Sequence, residues 1–458
     1  MGENERHLLA RDREGGFQRL VLTIAFLKAG VPDLAAQTAQ KEGGFIMKAK
    51  KLVSLALAGA MVFSLGACGS SSSSSSTASS AAGDVVSKSD TTSTAATTST
   101  STNSGTAITA DLSGKKVGIS MPTKSLERWN RDGSFLEQQF KSAGADTELT
   151  FSDNKIDQQV KDIENLIADN VDLLVVAAID GESLSNVLAD AKDMNIPVIS
   201  YDRLIMNTDA ISYYVSFDNY KVGQLQGQFV IDQLDLDNAG DKTYNIEFTA
   251  GDPADNNATY FFNGAMDTLK PYIDKGTLKV PSGQTSFSEC GTASWDTTKA
   301  MNRMQNILGS YYSDGTQLDV ALCSNDSTAL GVTQAIESDY AGDNKVIITG
   351  QDGDEANLAN IIDGKQTMTV YKAVKNETYV TLALGAAILN GEKPDESLIS
   401  SSGWDFDCTY DTSSYNNGTA VIPSYLLTPT VVTKDNIQKE LVDTGYYKME
   451  NGYPKAVG

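Results

Sequence analysis

Short runs of Val, Ile and Leu alternate along the chain with longer segments in which apolar residues recur every three or four positions. The short runs predict strands at residues 116–120, 147–151, 173–179 and 197–201, and the longer segments predict helices at residues 125–143, 156–168 and 183–193. Such alternation is typical of an open parallel sheet with right-handed crossovers.

A second series of the same kind follows residue 219. It comprises helices at residues 220–234, 257–273, 296–308 and 378–389, strands at residues 245–249, 278–280 and 367–372, and two strands that end at Asn325 and Asp352. A folded part of roughly 350 residues favours two domains with separate cores. We therefore expect an α/β protein with two doubly wound parallel-sheet lobes joined by a hinge, the first formed by residues 111–217 plus about 373–398 and the second by residues 218–372 plus about 399–458.

Polar residues follow three of the predicted strands, at the point where each strand ends. Asp202 and Arg203 follow one strand, Asn325 follows a second, and Asp352 follows a third. Ligands of open parallel sheets bind outside the carboxyl ends of the strands. Asn325 and Asp352 could alternatively cap the helices that come next. A cap does not explain the Asp202–Arg203 pair, so the recurrence favours a shared binding site without an obvious nucleophile.

The N-terminal region predicts export. A basic segment begins at Met47, residues 52–65 are apolar, and residues 65–68 (LGAC) form a lipobox that ends in Cys68. Residues 47–67 are therefore predicted to be a lipoprotein signal peptide, and residues 1–46 an upstream extension that precedes the true initiator. The alternative is a membrane-spanning anchor, for which the apolar run falls short of the roughly 20 residues required.

Residues 68–110 are rich in Ser, Thr and Ala and contain few large apolar side chains. This composition predicts a flexible tether. The formal net charge of the chain is −23, and loss of Lys48, Lys50 and Lys51 with the signal peptide leaves about −26. Nucleic acid and anionic lipid headgroups are unfavourable partners for such a surface.

Histidine and cysteine restrict the chemistry that is open to the chain. His7 is the only histidine and lies in the upstream extension, so the secreted part lacks the histidine of a catalytic triad, a Cys–His pair or a zinc site. No metal or cofactor is expected. With Cys68 acylated, Cys323 is expected in the core, while Cys290 and Cys408 could pair or stay free.

Specific motifs are distributed over residues 114–448. They are residues 118–125 (GISMPTKS), 127–129 (ERW), 201–205 (YDRLI), 216–219 (SFDN), 255–258 (DNNA), 350–352 (GQD), 421–427 (VIPSYLL) and 442–447 (VDTGYY). In combination they resemble the class I periplasmic binding proteins of the xylose and multiple-monosaccharide group. The resemblance implies the periplasmic binding protein type I fold and a receptor that closes on a pyranose and delivers it to an ABC importer. Together with the lipobox at Cys68, it leads us to expect a lipid-anchored monomer.

The resemblance also implies a ligand set. The polar ligands would be Arg128, Asp202, Arg203, Asn257, Asn325, Asp352 and Lys372, and the aromatic surfaces would be Trp129 and Trp295. Multiple-sugar members have an arginine directly before the second tryptophan, where this chain has Ser294, and residues 324–326 follow the xylose-type pattern. The preferred monosaccharide (xylose, glucose, galactose or arabinose class) therefore stays open. The sequence contains no P-loop, so the ATPase and permease would be separate subunits.

Three alternatives use the same residues differently. A sugar-acting enzyme could place two carboxylates as a glycosidase pair, but Asp202 and Asp352 have cationic or amide neighbours that suit ligand binding better. A sugar-responsive transcription regulator would need an N-terminal helix-turn-helix, where this chain has a signal peptide and a tether. A receptor that presents the sugar to a membrane sensor is compatible with every residue and differs only in its partner.

Overall fold

The structure is a computed structural model that describes residues 110–457. They belong to one compact unit. The predictions for the upstream extension, the signal peptide, Cys68 and nearly all of the tether lie outside the described residues. None of the helices that the structure describes is long and apolar enough to cross a membrane.

Strands and helices alternate through most of the described chain. The strands are β1 (Lys116–Met121), β2 (Asp146–Phe151), β3 (Leu173–Val176), β4 (Val198–Tyr201), β5 (Ile211–Phe217), β6 (Tyr244–Thr249), β7 (Leu278–Lys279), β8 (Val320–Cys323), β9 (Ile347–Ile348), β10 (Met368–Tyr371), β11 (Cys408–Asp411), β12 (Ser424–Leu427), β13 (Thr430–Thr433), β14 (Tyr447–Glu450) and β15 (Tyr453–Ala456). The helices are α1 (Glu127–Ser142), α2 (Ile156–Ala168), α3 (Ser185–Asp193), α4 (Asn219–Leu234), α5 (Asn256–Lys275), α6 (Phe287–Cys290), α7 (Thr297–Tyr311), α8 (Asp326–Asp339), α9 (Glu355–Asp363), α10 (Val374–Leu389) and α11 (Ser397–Ser402). Short 3-10 turns at Leu236–Asn238 and Ala293–Trp295 and a π turn at Gln438–Val442 complete the set.

The first lobe is built on a seven-stranded sheet in the order β11-β12-β5-β4-β3-β1-β2, parallel except for β11. Alternate residues of its strands enter separate layers because successive side chains point to opposite faces. Ile119 and Val175 pack with α1 and α10, whereas Leu174 and Val176 pack with α2 and α3. The Val/Ile-rich runs are apolar throughout because both faces of this sheet are covered.

The second lobe is built on a parallel sheet in the order β7-β6-β8-β9, extended by a bridge from Gln351 to Val370 in β10. Its two apolar layers lie against α4 and α5 on one face and against α7 and α8 on the other. Together the two sheets confirm the predicted α/β fold with two doubly wound lobes.

The chain crosses between the lobes three times, after β5, after β10 and after β12. The predicted assignment of all residues from about 399 onward to the second lobe is therefore wrong for β11 and β12. Strand β12 pairs in parallel with β5 and places Tyr425 in the first core, because the open edge of β5 offers an unpaired ladder. Sequence analysis missed β5 and every strand after β10.

The cysteines within residues 110–457 are all free. Cys323 is buried beside α7 and α8, as expected for a small core residue. Cys290 lies in the second lobe and Cys408 in the first, so the disulfide that the sequence left open is not formed in this part of the chain.

Candidate functional site

A cavity lies between the lobes, at the carboxyl ends of the strands. All nine residues that the sequence predicted as ligands line it: Arg128, Trp129, Asp202, Arg203, Asn257, Trp295, Asn325, Asp352 and Lys372. The structure thus brings the whole predicted set together, although a ligand contact for each stays a prediction. Five further lining residues were not predicted, namely Leu126, Asp255, Phe261, Ser327 and Gln351.

The backbone of Asp202 is fixed by contacts from both lobes. Its φ of 57° lies in the left-handed region, where a non-glycine residue is strained. The hydroxyls of Tyr214 and Ser216 and the amide of Asn257 all donate to its carbonyl oxygen, at 2.7, 2.8 and 2.6 Å. These three hydrogen bonds offset the strain and direct the Asp202 side chain into the cavity.

The Asp202 carboxylate binds two cations. Its Oδ2 lies 2.5 Å from Arg128 Nη2 and 2.7 Å from Lys372 Nζ, and all three side chains are buried. Burial alone would raise the pKa of Asp202, but Arg128 and Lys372 hold that pKa below its ordinary value. Asp202 is therefore ionised at neutral pH and accepts hydrogen bonds.

Arg128 is surrounded by carboxyl groups. Besides Asp202 it lies 3.1 Å from Glu377, 3.3 Å from Asp132 and 3.4 Å from Asp352. Burial would lower the pKa of Arg128, and these carboxyl groups raise it well above its ordinary value instead. Burial raises the pKa of both Asp132 and Glu377, with the nearby Asp202 adding to the effect, so these two carboxyls retain a proton more readily than free ones.

Asp132 and Glu377 contact Arg128 but do not line the cavity, and neither was predicted. Asp132 lies four residues after Arg128 on α1, a spacing that faces the same side of a helix and could have indicated the pair. Glu377 lies on α10, 249 residues after Arg128 in sequence, and no local sequence pattern predicts that the two residues are in contact.

Asp255 was also missed, although it forms the second charged pair of the cavity. Arg203 Nε lies 2.9 Å from Asp255 Oδ2, and Trp295 Nε1 donates to the same oxygen at 3.2 Å. Asp255 additionally caps α5 by accepting from Asn257 N. Sequence analysis named Asp255 only as part of the 255–258 motif and gave it no role in the site.

The two tryptophans are held by different means. Both guanidinium groups, of Arg128 and Arg203, lie about 5 Å from the Trp129 ring, at 5.0 and 4.9 Å from its centroid. Trp295 has a left-handed backbone with φ of 54° and covers Gly251, where an added Cβ would lie 1.9 Å from the ring. Glycine at position 251 is therefore required for this ring position.

The capping alternative applies to one strand-end residue and fails for the other. Asn325 is the N-cap of α8 and accepts from Thr328 N at 3.0 Å, yet its amide also donates to Asp352 Oδ2 at 3.3 Å. Asp352 is not a cap, because α9 begins after Asp354. Its φ of 103° instead places it in a strained turn at the edge of the cavity.

Comparison with known proteins decides the family. A family model described as a periplasmic binding protein domain matches residues 117–393, more than half of the chain. The chain belongs to the periplasmic binding protein family. The matched region contains all nine predicted ligand residues.

Several periplasmic binding proteins resemble this one along most of their length. The multiple sugar-binding periplasmic receptor ChvE of Rhizobium radiobacter is 41% identical over 337 residues, which cover 73% of this chain and 91% of the receptor. The D-xylose-binding periplasmic protein of Escherichia coli K12 is 34% identical over 343 residues, which cover 75% of this chain and 94% of that protein. An ABC transporter solute binding protein from Clostridium phytofermentans, solved with bound β-D-glucose, is 48% identical with a TM-score of 0.68, and the match covers 73% of this chain and 98% of that one.

These similarities confirm the predicted family and fold. The relatives are receptors and solute-binding proteins, which also confirms the prediction that this periplasmic binding protein is not an enzyme. Its cavity presents carboxylates that accept hydrogen bonds, cations that donate them, and aromatic faces. Within residues 110–457, no group of His, Cys, Asp and Glu side chains is arranged to hold a metal ion.

Proposed function

We propose that this protein captures a monosaccharide outside the cytoplasm and delivers it to an ABC importer. The observation that carries the proposal is a single cavity in which seven polar and two aromatic side chains of the predicted set converge from both lobes. Relatives named for sugar binding, at 41% and 34% identity, support a sugar as the ligand.

The chemistry of the cavity suits a pyranose. Each ring hydroxyl can donate and accept a hydrogen bond, so Asp202 and Asp352 would accept while Arg128, Arg203 and Lys372 would donate. Hydrogen bonds to charged partners are stronger than those between neutral groups. The flat C–H face of a sugar ring matches an aromatic face, which the tryptophans supply.

The sugar belongs to the xylose, glucose, galactose or arabinose class. A xylose-binding relative at 34% identity and a glucose-bound structure at 48% identity both support an aldose of this size. Which of these sugars binds best stays open.

Binding is proposed to proceed by closure of the lobes. Arg128 and Asp202 come from the first lobe, and Asn325 and Asp352 come from the second. A sugar that contacts both sets gains part of its binding free energy only when the lobes approach each other, so it favours the closed state.

Acylation at Cys68 is proposed to anchor the protein to the membrane, with the Ser/Thr-rich segment as a spacer. The partners are then the permease and ATPase subunits of the importer, and the receptor acts as a monomer. Nucleic acid is not among them. The same attachment would serve a receptor that signals to a membrane sensor.

Calorimetric titration with xylose, glucose, galactose, arabinose and ribose tests the proposal. We expect at least one of the first four sugars to bind, and binding to raise the melting temperature. Small-angle scattering should give a smaller radius of gyration at saturating ligand. Absence of heat and of a thermal shift with every sugar would reject sugar binding, whereas binding with an unchanged scattering curve would reject closure.

A further inference from the structure

Two residues of α1 join the lobes beside the cavity without lining it. Glu127 and Arg131 lie one turn apart, and Arg131 Nη1 is 3.1 Å from Glu127 Oε1. Arg131 follows Arg128 by three residues, so the same helix carries a predicted sugar ligand and this pair. Neither Glu127 nor Arg131 is among the residues that line the cavity.

Every other hydrogen bond of the Arg131 guanidinium reaches the second lobe. Nη1 donates to Tyr447 Oη at 2.9 Å and to the Gly353 carbonyl at 3.2 Å. Nη2 donates to the Asp352 carbonyl at 3.2 Å and to Asp354 Oδ1 at 3.3 Å. The guanidinium therefore binds the main-chain carbonyl groups of Asp352, a predicted ligand, and of Gly353. It also binds the side chain of Asp354.

Glu127 contacts the beginning of α9. Its two carboxylate oxygens accept from Glu355 N at 3.3 and 3.2 Å, where the helix N-terminus favours a negative charge. Glu355 is itself held by the C-terminal hairpin, because its carboxylate accepts from Ala456 N at 2.9 Å and lies 2.7 Å from Lys455 Nζ. The hairpin thus stabilises the surface that Glu127 meets.

The contacts of Arg131 with the second lobe are shielded from water while the two lobes touch. The Arg131 and Asp354 side chains are each only 10% exposed. Burial would lower the pKa of Arg131, but Tyr447, Asp354 and Glu127 raise it instead. Separation of the lobes removes all of the hydrogen bonds to the second lobe at once and returns the guanidinium to water.

We propose that Glu127 and Arg131 form a latch that stabilises the closed state and thereby sets sugar affinity without touching the sugar. The proposal rests on the proposed function, namely capture of a sugar by lobe closure. Contacts made in only one state shift the equilibrium toward that state, and the apparent affinity changes with the closed fraction. Because the latch does not contact the ligand, it raises the affinity for every sugar by the same factor.

The latch also extends beyond the part of the chain that matches the family model. That match ends at residue 393, whereas Tyr447 and the hairpin residues Lys455 and Ala456 come later in the chain. The C-terminal segment would therefore contribute to closure through Arg131 and Glu355.

The test uses Arg131→Met, which keeps an unbranched apolar stem but removes the charge and the donors. We expect the Kd for D-glucose and D-xylose to rise by the same factor, about 5- to 150-fold, mainly through faster dissociation. Glu127→Gln should raise both constants by a smaller common factor. The matched control is Lys141→Met, which breaks an ion pair on the same helix with Glu137 entirely within the first lobe and should leave both constants unchanged.

Titration of the wild type tests whether the protein binds sugar. Comparison of the wild type with the Arg131→Met variant tests whether the latch affects affinity. Unequal factors for the two sugars would show that Arg131 acts on the binding site, directly or through the Asp352 backbone, and would overturn the proposal. Wild-type constants in a folded Arg131→Met protein would overturn it too. Scattering without ligand gives a result that does not depend on sugar binding. We expect the variant to have the larger radius of gyration, and if the wild type binds neither sugar, equal radii overturn the latch.

Discussion

The guanidinium of Arg128 lies 2.5 Å from the carboxylate of Asp202, and this ion pair joins α1 to the end of β4. The same carboxylate lies 2.7 Å from Lys372, which follows β10 at a crossing between the lobes. These side chains are oriented by protein contacts, so a ligand would meet groups that are already ordered. Such pre-organisation lowers the entropic cost of binding.

Asp352→Ala should abolish measurable sugar binding at micromolar concentration while the fold survives. The substitution leaves the sugar hydroxyls that Asp352 would bind without a charged partner, which costs roughly 2–5 kcal/mol, or about 30-fold to several thousand-fold in affinity. Calorimetric titration beside a thermal melt measures both quantities. Asp314→Ala, at an exposed turn of the second lobe outside the cavity, should leave affinity unchanged.

A loss of stability with wild-type affinity in Asp352→Ala would reject the site assignment. That result would resemble the loss of a helix cap, which costs about 1 kcal/mol. The cap of α9 is Asp354, however, so the structure gives Asp352 no such role.

Gly251→Ala should weaken sugar binding by displacing Trp295. The new methyl group would lie 1.9 Å from the indole ring, and overpacking of this kind costs typically about 1–3 kcal/mol. Gly309→Ala is the matched control, because its added Cβ would meet nothing within 4 Å apart from the backbone of its own helix and its chain neighbours. It should leave affinity unchanged and stabilise α7 by about 0.5–1 kcal/mol.

Titration and tryptophan fluorescence check this pair of variants. A changed emission spectrum with reduced affinity in Gly251→Ala supports a binding role for Trp295. Wild-type affinity together with a changed spectrum would instead assign Trp295 to packing alone.

Asp354→Asn should flatten the dependence of stability on pH. Burial raises the pKa of Asp354 from 3.8 to about 7, with Arg131 opposing the rise. Because the folded-state pKa lies above the unfolded one, the protonated carboxyl contributes stability that is fully present below about pH 4 and is lost as the pH rises through about 7. Asparagine carries no titratable proton and removes this contribution.

Thermal melts between about pH 5 and pH 8 measure the effect. The melting temperature of the wild type should fall more steeply with increasing pH than that of Asp354→Asn. Parallel curves for the two proteins would show that Asp354 ionises alike in the folded and unfolded states.

Cys68→Ser should release the protein from the membrane fraction and leave sugar binding unchanged. The variant cannot be acylated, and the lipid chains supply the proposed anchor. Fractionation followed by immunoblotting checks the prediction, with Cys408→Ser as a control that should remain in the membrane fraction. A membrane-bound Cys68→Ser protein would disprove the lipobox assignment.

Much of the site could be predicted because its ligands follow strands that the hydrophobic pattern identifies. Asp202 and Arg203 follow β4, Asn325 follows β8, and Asp352 follows β9. In parallel sheets these ends meet at one edge, so residues distant in sequence converge without further information. The Trp295 position and the roles of Asn257 and Lys372 came from the resemblance to a family, since no strand-end pattern indicates them.

The sequence by itself determined the two parallel sheets, because strands covered on both faces must be apolar along their whole length and the helices between them must be amphipathic. Only the tertiary structure decided which sheet β12 joins, because an apolar strand fits any open edge of suitable length. It also decided the contacts of Arg128 with Glu377 and of Arg131 with Tyr447, over 249 and 316 residues of sequence. Such ion pairs and hydrogen bonds depend on where the topology places the two side chains, and the sequence around each residue does not indicate its partner.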